Sequence, residues 1–149
     1  MYACDNEDPL AVKLLLKSGA RINARDGDGR TPLMHAALYG LGPGDFQDFM
    51  SQGDVNKRCP MEAVMRLLLH AGAKVNIRDH GGRTAIAYVA QYAQSPGCTR
   101  LLLDHGAKVQ KRDGYGGVIA AAEYGLRMDG SPALSRQIIA LLKKAGATD

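Results

Sequence analysis

Long apolar runs are missing from this 149-residue chain. None approaches the roughly 18 residues that a membrane-crossing helix needs, which argues against membrane insertion. The amino terminus, MYACDNEDP, is polar and acidic and lacks the apolar core of a signal peptide. Cysteine is scarce: Cys4, Cys59 and Cys98 lie far apart, with none of the short spacings of a zinc site or a disulfide framework. An odd, scattered set points to reduced thiols and a reducing compartment, hence the cytoplasm, with a periplasmic or secreted setting if the chain is a processed mature form. A localised basic tract is missing too. The formal net charge is +4, but Lys57, Arg58, Lys108, Lys111, Arg112, Lys143 and Lys144 are dispersed, mostly at expected helix ends where cations suit the dipole. That argues against a nucleic-acid partner.

Catalytic and cofactor motifs fail one by one. Asp26-Gly27-Asp28-Gly29 could open a calcium loop only with an acid at residue 24 and a glutamate at residue 35, which are Ala24 and His35. Gly40-Leu41-Gly42-Pro43-Gly44 lacks both the spacing and the Lys-Ser/Thr pair of a phosphate cradle. Cys59, near Ser51, is the one candidate nucleophile expected to be exposed, and nothing in the sequence supplies its base. Of the histidines His35, His70, His80 and His105, two (His70 and His105) fall in the last turn of expected helices, as cations or carbonyl donors. The reading is no catalytic residue, no cofactor, no metal and no enzyme.

What is present is self-similarity. LLLKSGARI, LLLHAGAKV, LLLDHGAKV and LLKKAGA place Gly-Ala pairs at Gly19, Gly72, Gly106 and Gly146, at intervals of 53, 34 and 40 residues. A second marker keeps the phase, since GDGRTPLMHAALYG (27–40) matches HGGRTAIAYVAQYA (80–93). A period near 33 residues is the mark of a solenoid. Within one unit, Met61, Val64, Met65 and Leu68 recur at helical spacing with Leu67 beside them, and Gly72 follows as a left-handed cap. Thr31-Pro32 opens the other helix as a hydroxyl cap followed by proline at the first helical position. Between units, residues 26–29 and 79–82 carry tight-turn chemistry that calls for positive φ. The unit is a helical hairpin joined to its copy by a β-like turn.

The pattern G-x-TPLMHAA with LLLxxGAxxN resembles ankyrin repeats over essentially the whole chain. The resemblance implies a mostly α solenoid of stacked helix-turn-helix units joined by β-hairpin-like turns. It also implies a binding scaffold, with another protein as partner. The match departs from the usual T-P-L-H-x-A, because Met34 takes the histidine slot and His35 follows one later. Ala87 takes that slot in the next unit, and Gly116-Gly117 stand where the last unit would carry Thr-Pro. The hydrogen-bonding role usually given to that histidine is therefore not carried over.

The chain divides into a partial first unit (1–25), a unit with about 20 extra residues (26–78), a near-regular unit with one extra (79–112) and a carboxyl-terminal capping unit with about nine extra (113–149). The first unit is expected to present Val12, Leu15 and Leu16 to its neighbour, with Lys13 and Lys17 outside and its outer face partly open. Both insertions, near 41–60 and 126–133, fall between the two helices and should leave from one edge. Phe46 and Phe49 lie three apart in the longer insert, beside Asp45, Asp48, Met50 and Arg58. With Arg127 and Met128 of the second insert, these residues form the candidate docking edge. Tyr39, Tyr92 and Tyr124 form a tyrosine ladder on the concave side. The turn tips Asp28, Arg30, His80, Arg83 and Tyr115 form a second contact line. The expected function is a protein-interaction scaffold that is monomeric alone. The alternatives are an inhibitor or immunity protein plugging an enzyme with its insert, an adaptor or targeting segment of a longer chain, and self-association through the open amino-terminal face.

Overall fold

The computed structural model describes residues 1–6, 8–38, 60–93, 95–109, 117–128 and 132–146. Its helices are α1 (Tyr2–Asp5), α2 (Pro9–Lys17), α3 (Pro32–Leu38), α4 (Pro60–His70), α5 (Ala85–Tyr88), α6 (Pro96–Asp104), α7 (Val118–Met128) and α8 (Pro132–Lys144). α5 runs on as a π-helical turn, Val89–Ala93. Among the described residues there are no strands.

Proline and small polar side chains set where the helices begin. Pro9, Pro32, Pro60, Pro96 and Pro132 each open a helix, the position where a missing N–H costs nothing. Asp8 accepts from Leu10 N (2.9 Å) and Ala11 N (3.0 Å), Ser95 Oγ from Cys98 N (3.2 Å), and Thr31 Oγ1 from Met34 N (3.4 Å). The ends repeat as faithfully as the starts. Ala20 N donates to Leu15 O (3.0 Å), Ala73 N to Leu68 O (3.0 Å) and Ala107 N to Leu102 O (2.9 Å). Each bond closes over a glycine with positive φ, as helix carboxyl-terminal caps commonly do.

The helices pack as two rows. α1, α3, α5 with its π-turn, and α7 touch in sequence to make an inner row; α2, α4, α6 and α8 make an outer row; and each inner helix also packs on its own outer partner. Small side chains permit this closeness, with Ala36, Ala37, Ala85, Ala87, Ala90, Ala121 and Ala122 all buried. The outer row contributes the bulk of the core through Val64, Met65, Leu68, Leu102, Ile138 and Leu142. Cys4 and Cys98 are buried in this core, and burial pushes the Cys4 thiol pKa up, away from reactivity.

Asparagines fasten one unit to the next. Asn23 Oδ1 accepts from Lys74 N (2.8 Å), and Asn76 Oδ1, at the same repeat position, accepts from Lys108 N (2.8 Å). Asn76 Nδ2 also donates to Gly106 O (2.9 Å). Asn76→Ala removes two such bonds at an exposed site, so it should cost about 1–2 kcal/mol in urea unfolding, with little change in the slope.

Two expectations are adjusted, and a third falls outside the described residues. Val12 is buried and Leu16 packs against the core, but Leu15 is 47% exposed and does not face the next unit as expected. The stretch expected to project near 126–133 is largely spent on lengthening its flanking helices, since α7 continues to Met128 and α8 starts at Pro132. The insert at 41–60 lies outside the described residues, except for Pro60 at the start of α4.

Candidate protein-interaction surface

The turns between units are built around an aspartate. Asp26 Oδ1 accepts from Asp28 N (2.9 Å) and Arg30 N (2.7 Å), while Asp26 N donates to Arg30 O (3.0 Å). One unit later, Asp79 Oδ1 accepts from Arg83 N (2.8 Å), and Asp79 N donates to Arg83 O (3.0 Å). The two turns are joined directly: His80 N donates to Asp28 O (2.9 Å), and Arg25 Nη2 donates to Arg78 O (2.7 Å). The backbone of this edge is therefore fixed by bonds running along the stack.

Each turn aspartate is also held by an aromatic ring from the inner helix that follows it. His35 Nε2 meets Asp26 Oδ2 at 2.7 Å, and His35 Nδ1 meets Asp5 Oδ1 of α1 at 2.7 Å. Both contacts are donations only when both ring nitrogens carry protons. Tyr88 takes the same repeat position as His35 and donates its hydroxyl to Asp79 Oδ2. Arg30 Nε in turn donates to the Tyr88 oxygen at 3.1 Å. Polar side chains thus hold the turn from His35 and Tyr88, one residue after the slot in which the family pattern places its histidine.

These contacts set the local charges. Partial burial opposes ionisation of Asp26, but the bonds from His35, Arg30 N and Asp28 N outweigh it and hold the carboxyl below its ordinary value. Burial likewise opposes ionisation of Asp79, and the Tyr88 hydroxyl, the Arg83 N–H and the Arg83 guanidinium outweigh it. Tyr88 is pushed up to about 12, by burial first and then by its bond to Asp79.

Among the sequence-predicted residues, Asp28, Arg30, His80 and Arg83 come together on this edge. Arg30 Nη1 pairs with Asp28 Oδ2 at 3.1 Å, and Arg83 Nε lies 3.3 Å from Asp79 Oδ2 with its guanidinium 4.5 Å above the Tyr88 ring. Tyr92 stacks on Tyr88 with centroids 6.2 Å apart. Tyr92 is 42% exposed and Tyr124, on the adjacent α7, is 47% exposed, whereas Tyr88 is 1% exposed. Tyr39, Asp45, Phe46, Asp48, Phe49, Met50, Arg58 and Tyr115 lie outside the described residues, as do Cys59 and Ser51. Arg127 and Met128 belong to the last turn of α7, and their side chains are outside the described ones. Sequence reasoning missed Asp5, Asp26, Asp79, Tyr88 and the asparagine staples. Superposing the two matched segments pairs Asp26 with Asp79 and His35 with Tyr88, and that was the available signal.

His70 and His105 do what helix-end histidines were expected to do. Their Nδ1 atoms lie 2.7 Å from Arg66 O and 2.9 Å from Leu101 O, as donors to the carbonyl one turn back. Among the described residues, no group of three His, Cys, Asp or Glu is placed to hold a metal ion.

Gly29 is a tight point of the edge. Its φ is +78°, and a Cβ there would stand 2.7 Å from His80 Cδ2 and 2.8 Å from Arg25 Nη2. Gly72 has φ +91° but open space around it. Gly29→Ala should therefore cost about 1–3 kcal/mol in thermal or denaturant unfolding, and more than Gly72→Ala, which pays only the left-handed backbone penalty of roughly 1–2 kcal/mol.

Two parallel rows of helices, tied by repeating turns and staples, define a helical repeat solenoid with one continuous inner surface. Sequence profiles agree. Ankyrin repeats (many copies) match residues 1–41, and Ankyrin repeat matches residues 28–80. The chain belongs to the ankyrin-repeat family. It is 34% identical over 84 residues to the ADP-ribosylation factor GTPase-activating protein AGD2 of Arabidopsis thaliana, covering 56% of this chain and 8% of that protein. It is 30% identical over 112 residues to an ankyrin repeat-containing protein of Treponema pallidum (strain Nichols), covering 75% of this chain and 30% of that protein. The chain thus spans less than a third of the length of either relative. Among the described residues, no helix is long and apolar enough to cross a membrane.

Proposed function

We propose that this chain binds a protein partner across its inner, turn-bearing surface, extending onto the edge from which residues 41–60 leave. Ankyrin repeats generally mediate protein–protein contact. The observation that carries the finer reading is the pair of tyrosines left 42% and 47% exposed on neighbouring inner segments, beside a turn network that is already fixed. Such rings give large contact area for few frozen rotors, and a prepositioned backbone lowers the ordering cost of binding. Asp28, Arg30, His80 and Arg83 supply the polar rim, with Phe46, Phe49, Met50 and Met128 as anchors and Asp45, Asp48, Arg58 and Arg127 as orienting charges. Tyr39 and Tyr115 extend the two lines. The unit divisions at 25/26, 78/79 and 112/113 belong to the same proposal.

Photocrosslinkers placed singly at Tyr92 and at Phe46 test it, with one at exposed Arg136 on the outer row as control. The partner captured from Tyr92 and Phe46, and not from Arg136, should bind a Tyr92→Ala, Tyr124→Ala protein at least about tenfold more weakly, with the helical circular dichroism unchanged. Capture from Arg136 alone, or full affinity in the double variant, would sink the proposal.

A further inference from the structure

Stacking gathers cations that the sequence scatters. Arg21, Lys74 and Lys108 each stand two residues past a cap glycine of positive φ, and all three are exposed. The asparagine staples set them in register. Asn23, two residues after Arg21, accepts from Lys74 N (2.8 Å), and Asn76, two residues after Lys74, accepts from Lys108 N (2.8 Å). The outer helices that lead into these loops pack side by side, and packed helices lie about 8–10 Å apart, so the three rungs climb the stack at about that interval. The helix ends beneath them are already closed by the backbone bonds from Ala20, Ala73 and Ala107, so these side chains are not needed as caps. Among the described residues, none of the three side chains is in an ion pair.

Spacing, charge and an apolar floor decide what fits there. Beside the middle rung lies a shallow groove of about 490 Å³, lined by Ala73, Lys74, Val75, Asn76, Ile77 and His105. Val75 and Ile77 are half-buried and give it its floor. The neighbouring row, two residues before the cap glycines, is Lys17, His70, Asp104 and Lys144, with Asp104 its single carboxylate. A polyproline II strand has three residues per turn and rises about 3.1 Å per residue, so every third side chain faces the same way at about 9.3 Å intervals. That matches the rungs. A β-strand returns to one face about every 6.7 Å and falls out of step. A nucleic acid is a poorer match, since a duplex carries a charge about every 1.7 Å and a single strand needs rings to stack on. The exposed tyrosines Tyr2, Tyr92 and Tyr124 all belong to the inner row. We infer that this edge binds an acidic polyproline II segment of another protein, with carboxylates at every third residue on Arg21, Lys74 and Lys108 and an apolar side chain between them in the groove. An exposed ion pair is worth at most about fivefold in affinity, so the contact is weak and sensitive to salt.

Fluorescence anisotropy of a labelled peptide, glutamate-proline-alanine repeated four times, tests this at about 50 mM salt and up to about 500 µM of the whole chain. Lys74→Glu and Lys108→Glu should each weaken binding about tenfold, because repulsion replaces attraction, with circular dichroism unchanged. Raising the salt to about 300 mM should weaken wild-type binding at least as much. Arg136→Glu makes the same change of net charge at the amino end of α8 and should shift affinity by less than about twofold. The Tyr92→Ala, Tyr124→Ala protein should bind the peptide as wild type does, so the result is independent of the inner surface. No binding at 500 µM would overturn the inference. So would equal affinity for a peptide of the same composition with its glutamates in one block, or an equal loss in Arg136→Glu. Tighter binding of a thymidine oligonucleotide of like charge, or of phosphatidylserine vesicles, would overturn it in favour of a nucleic acid or a membrane.

Discussion

Asp79→Ala should destabilise the protein by about 3–5 kcal/mol and lower its thermal midpoint by roughly 6–20 °C. The Asp79 side chain is 2% exposed and takes the Arg83 N–H, the Tyr88 hydroxyl and the Arg83 guanidinium. Alanine leaves the Arg83 N–H and the Tyr88 hydroxyl without that acceptor inside the stack, and buried donors without partners cost more than the bonds were worth. Tyr88→Phe removes one hydroxyl and leaves the carboxylate its other two donors, so it should cost about 1–2 kcal/mol. The pH profile distinguishes this account from a simple packing loss. The Asp26 and Asp79 carboxyls titrate below their ordinary value in the folded protein. Their stabilisation is fully present above the unfolded carboxylate pKa of about 4 and drains away as pH falls through the lower folded values. Wild type should therefore lose stability steeply below about pH 4, and Asp79→Ala should lose less of it over the same range. Equal slopes in chemical unfolding from pH 5 to pH 2 would contradict this.

A leucine series should show that one repeat position carries very different energies along the chain. Leu15, Leu68 and Leu102 occupy the same place relative to the Gly-Ala cap, and their exposures are 47%, 2% and 0%. Leu68→Ala and Leu102→Ala each remove buried methyl groups from a filled interior, at about 2–5 kcal/mol. Leu15→Ala removes side-chain area that is about half wet already and should cost less than about 1.5 kcal/mol. All three leave the backbone bond over the glycine untouched, so the difference isolates burial. Calorimetric midpoints for the three single variants would settle it. A Leu15→Ala loss equal to that of Leu68→Ala would mean that the outer end of the stack is covered in solution.

Most of the architecture was readable in the sequence because it is written several times over. The Gly-Ala caps and leucine runs agree in phase, and the structure places each cap glycine at positive φ. The helix starts were legible for the same reason, since proline at the first helical position is a local signal that needs no tertiary context. The polar interior was not legible. His35 reaches Asp5 across 30 residues and Arg30 reaches Tyr88 across 58, and such pairings exist only once the units are stacked. Comparing His35 with the family slot one residue earlier hid its role, whereas comparing it with Tyr88 in the same chain would have revealed it. The openness of Leu15 was missed because the repeat pattern is silent about what covers its last member. The tyrosine ladder was traced from equivalent positions, and two of its three rungs, Tyr92 and Tyr124, are exposed on adjoining segments.

The π-helical turn at Val89–Ala93 falls where the sequence reading places the one surplus residue of a 79–112 unit. α2 and α6 both start five residues before their first leucine, Pro9 before Leu14 and Pro96 before Leu101, so the surplus must lie between Thr84 and Pro96, where the wide turn is. A coil that swells locally swallows an added amino acid without passing the phase error downstream, and α6 re-enters its row as though nothing had been added. A length change of one residue is thus contained inside the helix where it arises, and the neighbouring helices keep their seating.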